Sequence, residues 1–448
     1  MKKITLLLTV GVIFLFGESL SLKDAIKMAE EKNLQINKKE LLLLEKKLDT
    51  KIVNGMHFGS LDLVGQYMRS NHPGNVFGMK SALHQVSFND FGFDQFLGWM
   101  SSGQNGDILS TVPKNLNEPK GFGMYESFIE YKLPIFTGGM ISGYKDASKK
   151  LEQIASLDLD KEREFIKGEV RKVFYDISLL RVFLVKLETI EHNMGKLLNS
   201  VEEFKKEGYA KNSDVLEVRA RKMDVYRKIS ETKNNISLSL QYLSFLLNEE
   251  IEDIQTIDNS EEARDVKLED SYDVKMAQKG TEITDVMVGI NKGEFLPKIG
   301  AMARSGGAIK SLSDGMDYGQ NYTVGVEMRF NIFNGFADLH KLEKAKVQSL
   351  QAKSDFELAK AGTKLAIEKT KTEISKLQND VKYLESELLL KEEIYTNYKE
   401  RYDEKLVSMN DLMIKHSEYL IGVLELMETK NSLNKKIIAF NASFEKGE

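Results

Sequence analysis

Five prolines, and where they stand, limit this 448-residue chain more than any other feature. They are Pro73, Pro113, Pro119, Pro134 and Pro297, so residues 135–296 and 298–448 contain none. Helix interiors exclude proline, which lacks the N–H and clashes with the preceding turn. Charged sequence rich in Leu, Lys and Glu, free of proline over such lengths, predicts very long helices. Periodicity agrees. Ile166, Val170, Val173, Ile177, Leu180, Leu184 and Leu187 step alternately by 4 and 3, the spacing of a coiled-coil seam. Val381, Leu384 and Leu388, then less regularly Ile394 and Tyr398, continue it later.

Two regions break this pattern with alternation of period two. In the first, Leu61, Leu63, Gly65 and Tyr67 alternate with Asp62, Val64, Gln66 and Met68. After a long loop, Tyr125, Ile129, Tyr131 and Leu133 alternate with Glu126, Phe128, Glu130 and Lys132. The second region offers Ile299, Ala301 and Ala303, then Tyr322, Val324, Val326, Met328, Phe330 and Ile332. Strands are expected at about 58–69, 123–136, 297–305 and 321–333, suited to a transmembrane barrel with the apolar side to lipid.

These regions belong to an internal repeat. A shift of 238 carries Asn33 to Ser271, Ile52 to Ile290 and Gly55 to Gly293. A shift of 197 carries Tyr125 to Tyr322, Phe136 to Phe333, Gly138 to Gly335 and Asp214 to Asp411. One change of register, confined to a loop, is what a duplication with one enlarged hairpin produces. Repeat 1 spans 20–247 with a helical turn at about 208–213. Repeat 2 spans 271–448 with its turn at about 405–410. Between them, 248–270 is acidic and reads as an irregular, solvated connector. From Gly138 to Gly208 an unbroken helix would run about 105 Å, longer than any membrane is thick.

The N-terminus reads as an export signal over 1–19: Lys2 and Lys3, an uncharged run from Ile4 to Phe16, then Gly17 and Ser19. Thirteen residues are too few to span a bilayer of about 30 Å. Net charge is −5, with 63 basic and 68 acidic residues, which leaves no footprint for nucleic acid. With no cysteine, thiolate metal sites and a lipid-modified N-terminal cysteine are excluded. His57, His72, His84, His192, His340 and His416 lack metal-ligand spacing and read mostly as surface residues. Asp314 and Asp317 with Gly315 and Gly319 resemble a calcium loop faintly and a polar hairpin more. No GxxxxGK, HExxH or GxSxG motif is present, so neither catalytic residues nor a cofactor are expected.

Several segments together carry a resemblance. They are Leu20-Ser-Leu-Lys-Asp-Ala-Ile-Lys-Met-Ala29 with Asn33-Leu34, Leu133-Pro-Ile-Phe-Thr-Gly-Gly139, and Phe330-Asn-Ile-Phe-Asn-Gly335. The turns Gly208-Tyr-Ala-Lys-Asn-Ser-Asp-Val-Leu216 and Tyr402-Asp-Glu-Lys-Leu-Val-Ser-Met-Asn-Asp-Leu412 complete the set. In order and spacing the mature chain resembles the TolC-like outer-membrane efflux family. The resemblance implies an α+β membrane protein of two internal repeats that works as a homotrimer. Four strands per chain would make a trimeric 12-stranded β-barrel in outer-membrane lipid, continued by a long periplasmic α-helical barrel. It implies a non-enzymatic conduit joined to an inner-membrane transporter through a periplasmic adaptor (membrane fusion) protein, in an efflux pump or type I secretion system. An exported trimeric coiled-coil adhesin or scaffold is the alternative, but it would carry a single C-terminal barrel segment.

The resemblance also nominates residues. Asp411, Asp214 and Glu217 are candidates for an acidic pore ring; a cap on the returning helix is the plainer role for Asp411 and Asp214. Tyr402 matches a gate tyrosine that could hydrogen-bond Asp214, or is simply an interfacial tyrosine. Gly208, Tyr209, Lys405 and Leu406 would meet the adaptor. Gly138, Gly139 and Gly335 would let strand bend into helix. The chain departs from the family with Lys405 and Val407 in place of a glycine and an arginine, and with Ile414 in place of a second acid. Its 70–122 loop is also long and aromatic.

Overall fold

The computed structural model describes residues 19–103, 107–257, 261–311 and 319–444. The predicted signal segment, save Ser19, lies outside these residues, as do Asp314, Gly315 and Asp317. In chain order the elements are α1 (Leu22–Lys32), α2 (Leu34–Gly55), β1 (Ser60–Ser70), α3 (Pro73–Ala82), α4 (Phe93–Ser101), α5 (Lys114–Asn117) and β2 (Phe122–Phe136). They continue with α6 (Met140–Lys206), α7 (Asn212–Leu247), α8 (Tyr272–Gly293), β3 (Lys298–Ile309), β4 (Gly319–Arg329), α9 (Ala337–Asp403) and α10 (Met409–Ala442).

The proline-free tracts fold as their composition dictates: α6 and α9 are each 67 residues long. Element starts keep two offsets. Phe122 and Gly319, Met140 and Ala337, and Asn212 and Met409 stand 197 apart; Leu34 and Tyr272, and Ser60 and Lys298, stand 238 apart.

The chain divides into two compact units, whose boundaries fall within α2, α6, α8 and α9. The first holds residues up to 45, 153–280 and 353–448 and is helical. There α6 buries Ile166, Val170, Val173, Phe174 and Ile177 against Ala25 and Ala29 of α1 and Leu243, Leu246 and Leu247 of α7. Farther along α6, Leu187, Met194 and Leu197 pack with Val215 and Val218 of α7 and Leu412 and Met413 of α10. Each such side chain, fully buried, stabilises the fold by about 1.5–3 kcal/mol. Leu180 and Leu184 of the predicted seam are only half-buried. On α9 the pattern shifts by one position: Ile394 is exposed, and Tyr395 turns inward to stack on Tyr419 of α10.

The connector corrects the sequence reading. It is irregular and acidic but not merely solvated. Leu20 forms a parallel bridge with Ile254, which is buried. Arg181 donates to the Ile254 carbonyl at 2.7 Å, and Arg171 pairs with Glu261 at 3.0 Å. Ile251, Ile254 and Ile257, three apart among the acids, carry this packing.

The second unit, 46–152 with 281–352, holds one antiparallel sheet in the order β1-β2-β3-β4. Its register sorts the side chains by face. Leu63, Ile129, Ser305 and Tyr322 lie in one row, with Leu61, Tyr131, Ala303 and Val324 in the next. This face is apolar and open, with Leu61, Leu63, Val324 and Val326 each more than 70% exposed. The opposite face carries Asp62, Gln66, Glu126, Glu130, Arg304 and Thr323. There Arg304 pairs with Glu126 while its guanidinium lies 3.2 Å from the Phe128 ring centroid. Among the described residues the outer edges of β1 and β4 pair with no strand.

Two strand ends differ from expectation. β3 runs on to Ile309, and β4 stops at Arg329 instead of 333. Arg329 pairs with Lys298, and the residue before Lys298 is Pro297, which has no N–H to extend the ladder. Phe330, Ile332 and Phe333 leave the sheet and stay exposed.

Candidate pore and gate residues

The two helical turns, both in the first unit, are built alike. The α6 helix ends with Tyr209 N–H donating to the Phe204 carbonyl and Gly208 N–H to Lys205; α9 ends with Leu406 donating to Arg401 and Lys405 to Tyr402. Both are Schellman closures, which place one residue in the left-handed region. Gly208 does so at φ +83° and Lys405 at φ +66°. An L-residue there costs roughly 1–2 kcal/mol. Lys405 recovers part of this through its side chain, whose ammonium sits 3.3 Å from the Tyr209 ring centroid and 5.6 Å from that of Phe204. Phe204 in turn meets Tyr402 at 6.2 Å. The residue that replaces the glycine therefore ties the two turns of one chain together. Tyr209 and Leu406 remain well exposed.

The acids follow these turns. Asp214 accepts the Lys211 N–H at 2.9 Å and the Ser213 hydroxyl at 3.2 Å. Glu217, one turn on, is half-exposed. The N-cap of α10, the alternative role weighed for Asp411, is Ser408, whose hydroxyl oxygen accepts the Asp411 N–H at 3.1 Å. Asp411 is the third helical residue, and its exposed carboxylate accepts the Ser408 hydroxyl at 2.7 Å. Tyr402 is buried among Val215, Met409 and Leu412 and makes no hydrogen bond to Asp214. Burial, then the charges of Asp214 and Asp403, push its phenol up to about 12.

His416 is the exception to the surface reading, which the other five histidines fit. It is 1% exposed, edge-on to Tyr395 at 5.3 Å, and burial beside Arg221 holds its imidazole down at about 4. Nearby, Tyr419 donates to Glu392 at 3.0 Å, and Lys186 of α6 donates to the same carboxylate at 2.8 Å. The sequence signal was spacing: His416 lies three and four residues from Met413, Leu412 and Tyr419 on one face of α10. Among the described residues no group of three or more His, Asp or Glu could hold a metal.

In the second unit the bend glycines behave unequally. Gly138, Gly139 and Gly335 all have positive φ, at +66°, +80° and +68°. Only Gly138 is also crowded, because a Cβ there would stand 2.2 Å from the Gly293 carbonyl oxygen. A Cβ on Gly293 would meet the Gly138 oxygen equally closely, a partner missed in the sequence. Where Gly139 stands after β2, Phe336 stands after β4, at φ +64° and packed edge-on against Phe333.

No protein-family model matches the chain, and no curated protein matches it by sequence. Solved structures match its fold. CusC aligns with a TM-score of 0.78 at 12% identity over 95% of this chain and 92% of its own. The outer membrane protein VceC of Vibrio cholerae aligns with a TM-score of 0.74 at 15% identity over 94% and 95%. The CmeC outer membrane channel of Campylobacter jejuni aligns with a TM-score of 0.73 at 14% identity over 95% and 87%. At such identities the likeness speaks for the backbone alone, and it covers nearly the whole chain: this protein has the fold of the TolC-like outer-membrane channels.

Proposed function

We propose that three copies of this chain form an outer-membrane efflux channel, twelve strands closing one barrel that continues as a helical tunnel into the periplasm. The observation that carries this reading is a sheet with one exposed apolar face, one polar face and, among the described residues, no strand paired to the outer edges of β1 and β4. Four strands cannot close the smallest barrel, of about eight. β1 and β4 run in opposite directions, so β4 of one copy can pair antiparallel with β1 of the next, and a head-to-tail ring removes every edge. Exposed leucines on α2 (Leu34, Leu41, Leu48) and α9 (Leu350, Leu358, Leu365) supply the helical contacts between copies. The 197 and 238 offsets support descent from one duplicated unit.

The channel is passive. A periplasmic adaptor and an inner-membrane transporter, of an efflux pump or a type I secretion system, supply cargo and energy. Gly208, Tyr209, Lys405 and Leu406, at the turns, form the adaptor contact. A photo-cross-linking residue at Leu406 is expected to capture a periplasmic adaptor in intact cells, while the same probe at Leu61 does not. No adaptor cross-link at Leu406 or Tyr209 would count against the reading.

Asp411, exposed beyond the second turn, gives the narrow end three carboxylates, with Asp214 and Glu217 behind them. Such a ring favours cations. Asp411→Asn removes the charge and leaves the Ser408 cap and an acceptor for its hydroxyl. In planar bilayers the cation-to-anion permeability ratio should fall at least about twofold. An unchanged ratio would leave Asp411 a structural residue of the helix start.

A further inference from the structure

The connection from β1 to β2 leaves the sheet at the end opposite to where α2 enters and α6 departs, and it contains α3, α4 and α5. Its first helix does not stand away from the sheet. Met79 and Leu83, at the end of α3, are buried with Met124 of β2 and Ala308 of β3, and Met68 of β1 packs against them. Met68 pairs with Met124, Glu126 with Gln66 and with Ala308, so all lie on the face of Gln66, Glu126 and Arg304. The C-terminus of α3 then reaches β4. A Cβ on Gly319 would stand 1.7 Å from the Ala82 carbonyl oxygen, and Gly319 pairs with Ala308. A helix of ten residues is about 15 Å long, and four strands span about 14 Å. α3 thus crosses the whole width of the sheet on its polar face.

We propose that α3 is a lid over the outer mouth of the channel. The inference rests on the barrel described above, in which the polar face becomes the lumen wall. Twelve strands tilted by about 40° enclose a backbone radius of roughly 12 Å. A helix about 10–12 Å across, laid on that wall, reaches most of the way to the axis. Three copies, one per chain, close the opening. The rest of the loop braces the lid. Lys80 of α3 pairs with the buried Asp90, which also accepts the Ser87 N–H at 2.8 Å. Gly319 is a fitting residue of this closure, since only a residue without Cβ lets the helix end lie on β4. Passage of cargo then requires α3 to lift from Met124 and Ala308, a second barrier at the end of the sheet remote from the helices.

The test uses the absence of native cysteine. Thr323 is exposed on the same face as Gly319, four residues deeper along β4. Thr323→Cys is introduced into the full chain, into a variant whose residues 73–118 are replaced by a short glycine-serine linker, and into Gly319→Ala. Intact cells receive a membrane-impermeant maleimide too large for general porins. A lid open no more than a tenth of the time slows labelling about tenfold relative to either altered chain. Gly319→Ala serves if the shortened loop prevents folding. Equal, rapid labelling of all three overturns the lid and leaves the barrel standing. No labelling in any of them, with the protein in the outer membrane, overturns the lumenal reading of this face and the lid with it.

Discussion

Val324→Arg is expected to abolish assembly in the outer membrane, while Thr323→Arg, one residue away, leaves it intact. Val324 is the middle residue of β4 and stands in a row with Ala303, Tyr131 and Leu61 on the exposed apolar face. Thr323 points to the face of Arg304 and Glu130. An arginine facing lipid at the midplane costs about 2–4 kcal/mol, and three copies bring roughly 6–12 kcal/mol to one barrel. That rivals the whole stability of an ordinary domain, about 5–15 kcal/mol. Arginine on the polar face, the lumen wall of the proposed barrel, would stay in water and cost little. Both variants are read as the heat-dissociable oligomer in outer-membrane fractions. Equal loss from both positions, or from neither, would mean that the exposed apolar face does not meet lipid.

Gly138→Ala should cost far more stability than Gly335→Ala, although both sit at the step from strand to helix. Each alanine bears the left-handed penalty of roughly 1–2 kcal/mol. At Gly335 nothing lies within 4 Å of the added methyl, so the penalty ends there. At Gly138 the methyl would stand 2.2 Å from the Gly293 carbonyl oxygen, a backbone atom that cannot swing aside. Separating α8 from the β2–α6 bend should bring the total to about 3 kcal/mol or more. Thermal unfolding of purified protein, or yield where unfolding is irreversible, separates the two. Equal losses would show that the close approach to Gly293 carries no weight.

Much of the fold was legible because its strongest signals are negative or periodic. Proline excluded from 135–296 and 298–448 left two 67-residue helices as the simplest outcome, and alternation located four strands. Boundaries were less legible where a neighbour decides them. β4 ends at Arg329 because Pro297 stops its partner, although Phe330 and Ile332 keep the alternation. The connector hid its packing because ten acids outweigh three spaced isoleucines in any reading by composition. At the turns, the places of Gly208, Lys405, Asp214 and Asp411 followed from spacing, but their contacts did not. That Lys405 lies on Tyr209, and that Ser408 caps the helix ahead of Asp411, depends on how two turns 197 positions apart meet. The position of α3 across the sheet had no sequence signal beyond the length of the loop.

The central claim is that three copies close one barrel, and native mass measurement of the full chain in detergent tests it most directly. The predicted result is a single species of three chains, dissociating only when the protein unfolds. A folded monomer, stable with both sheet edges open, or an assembly of any other number, would contradict it.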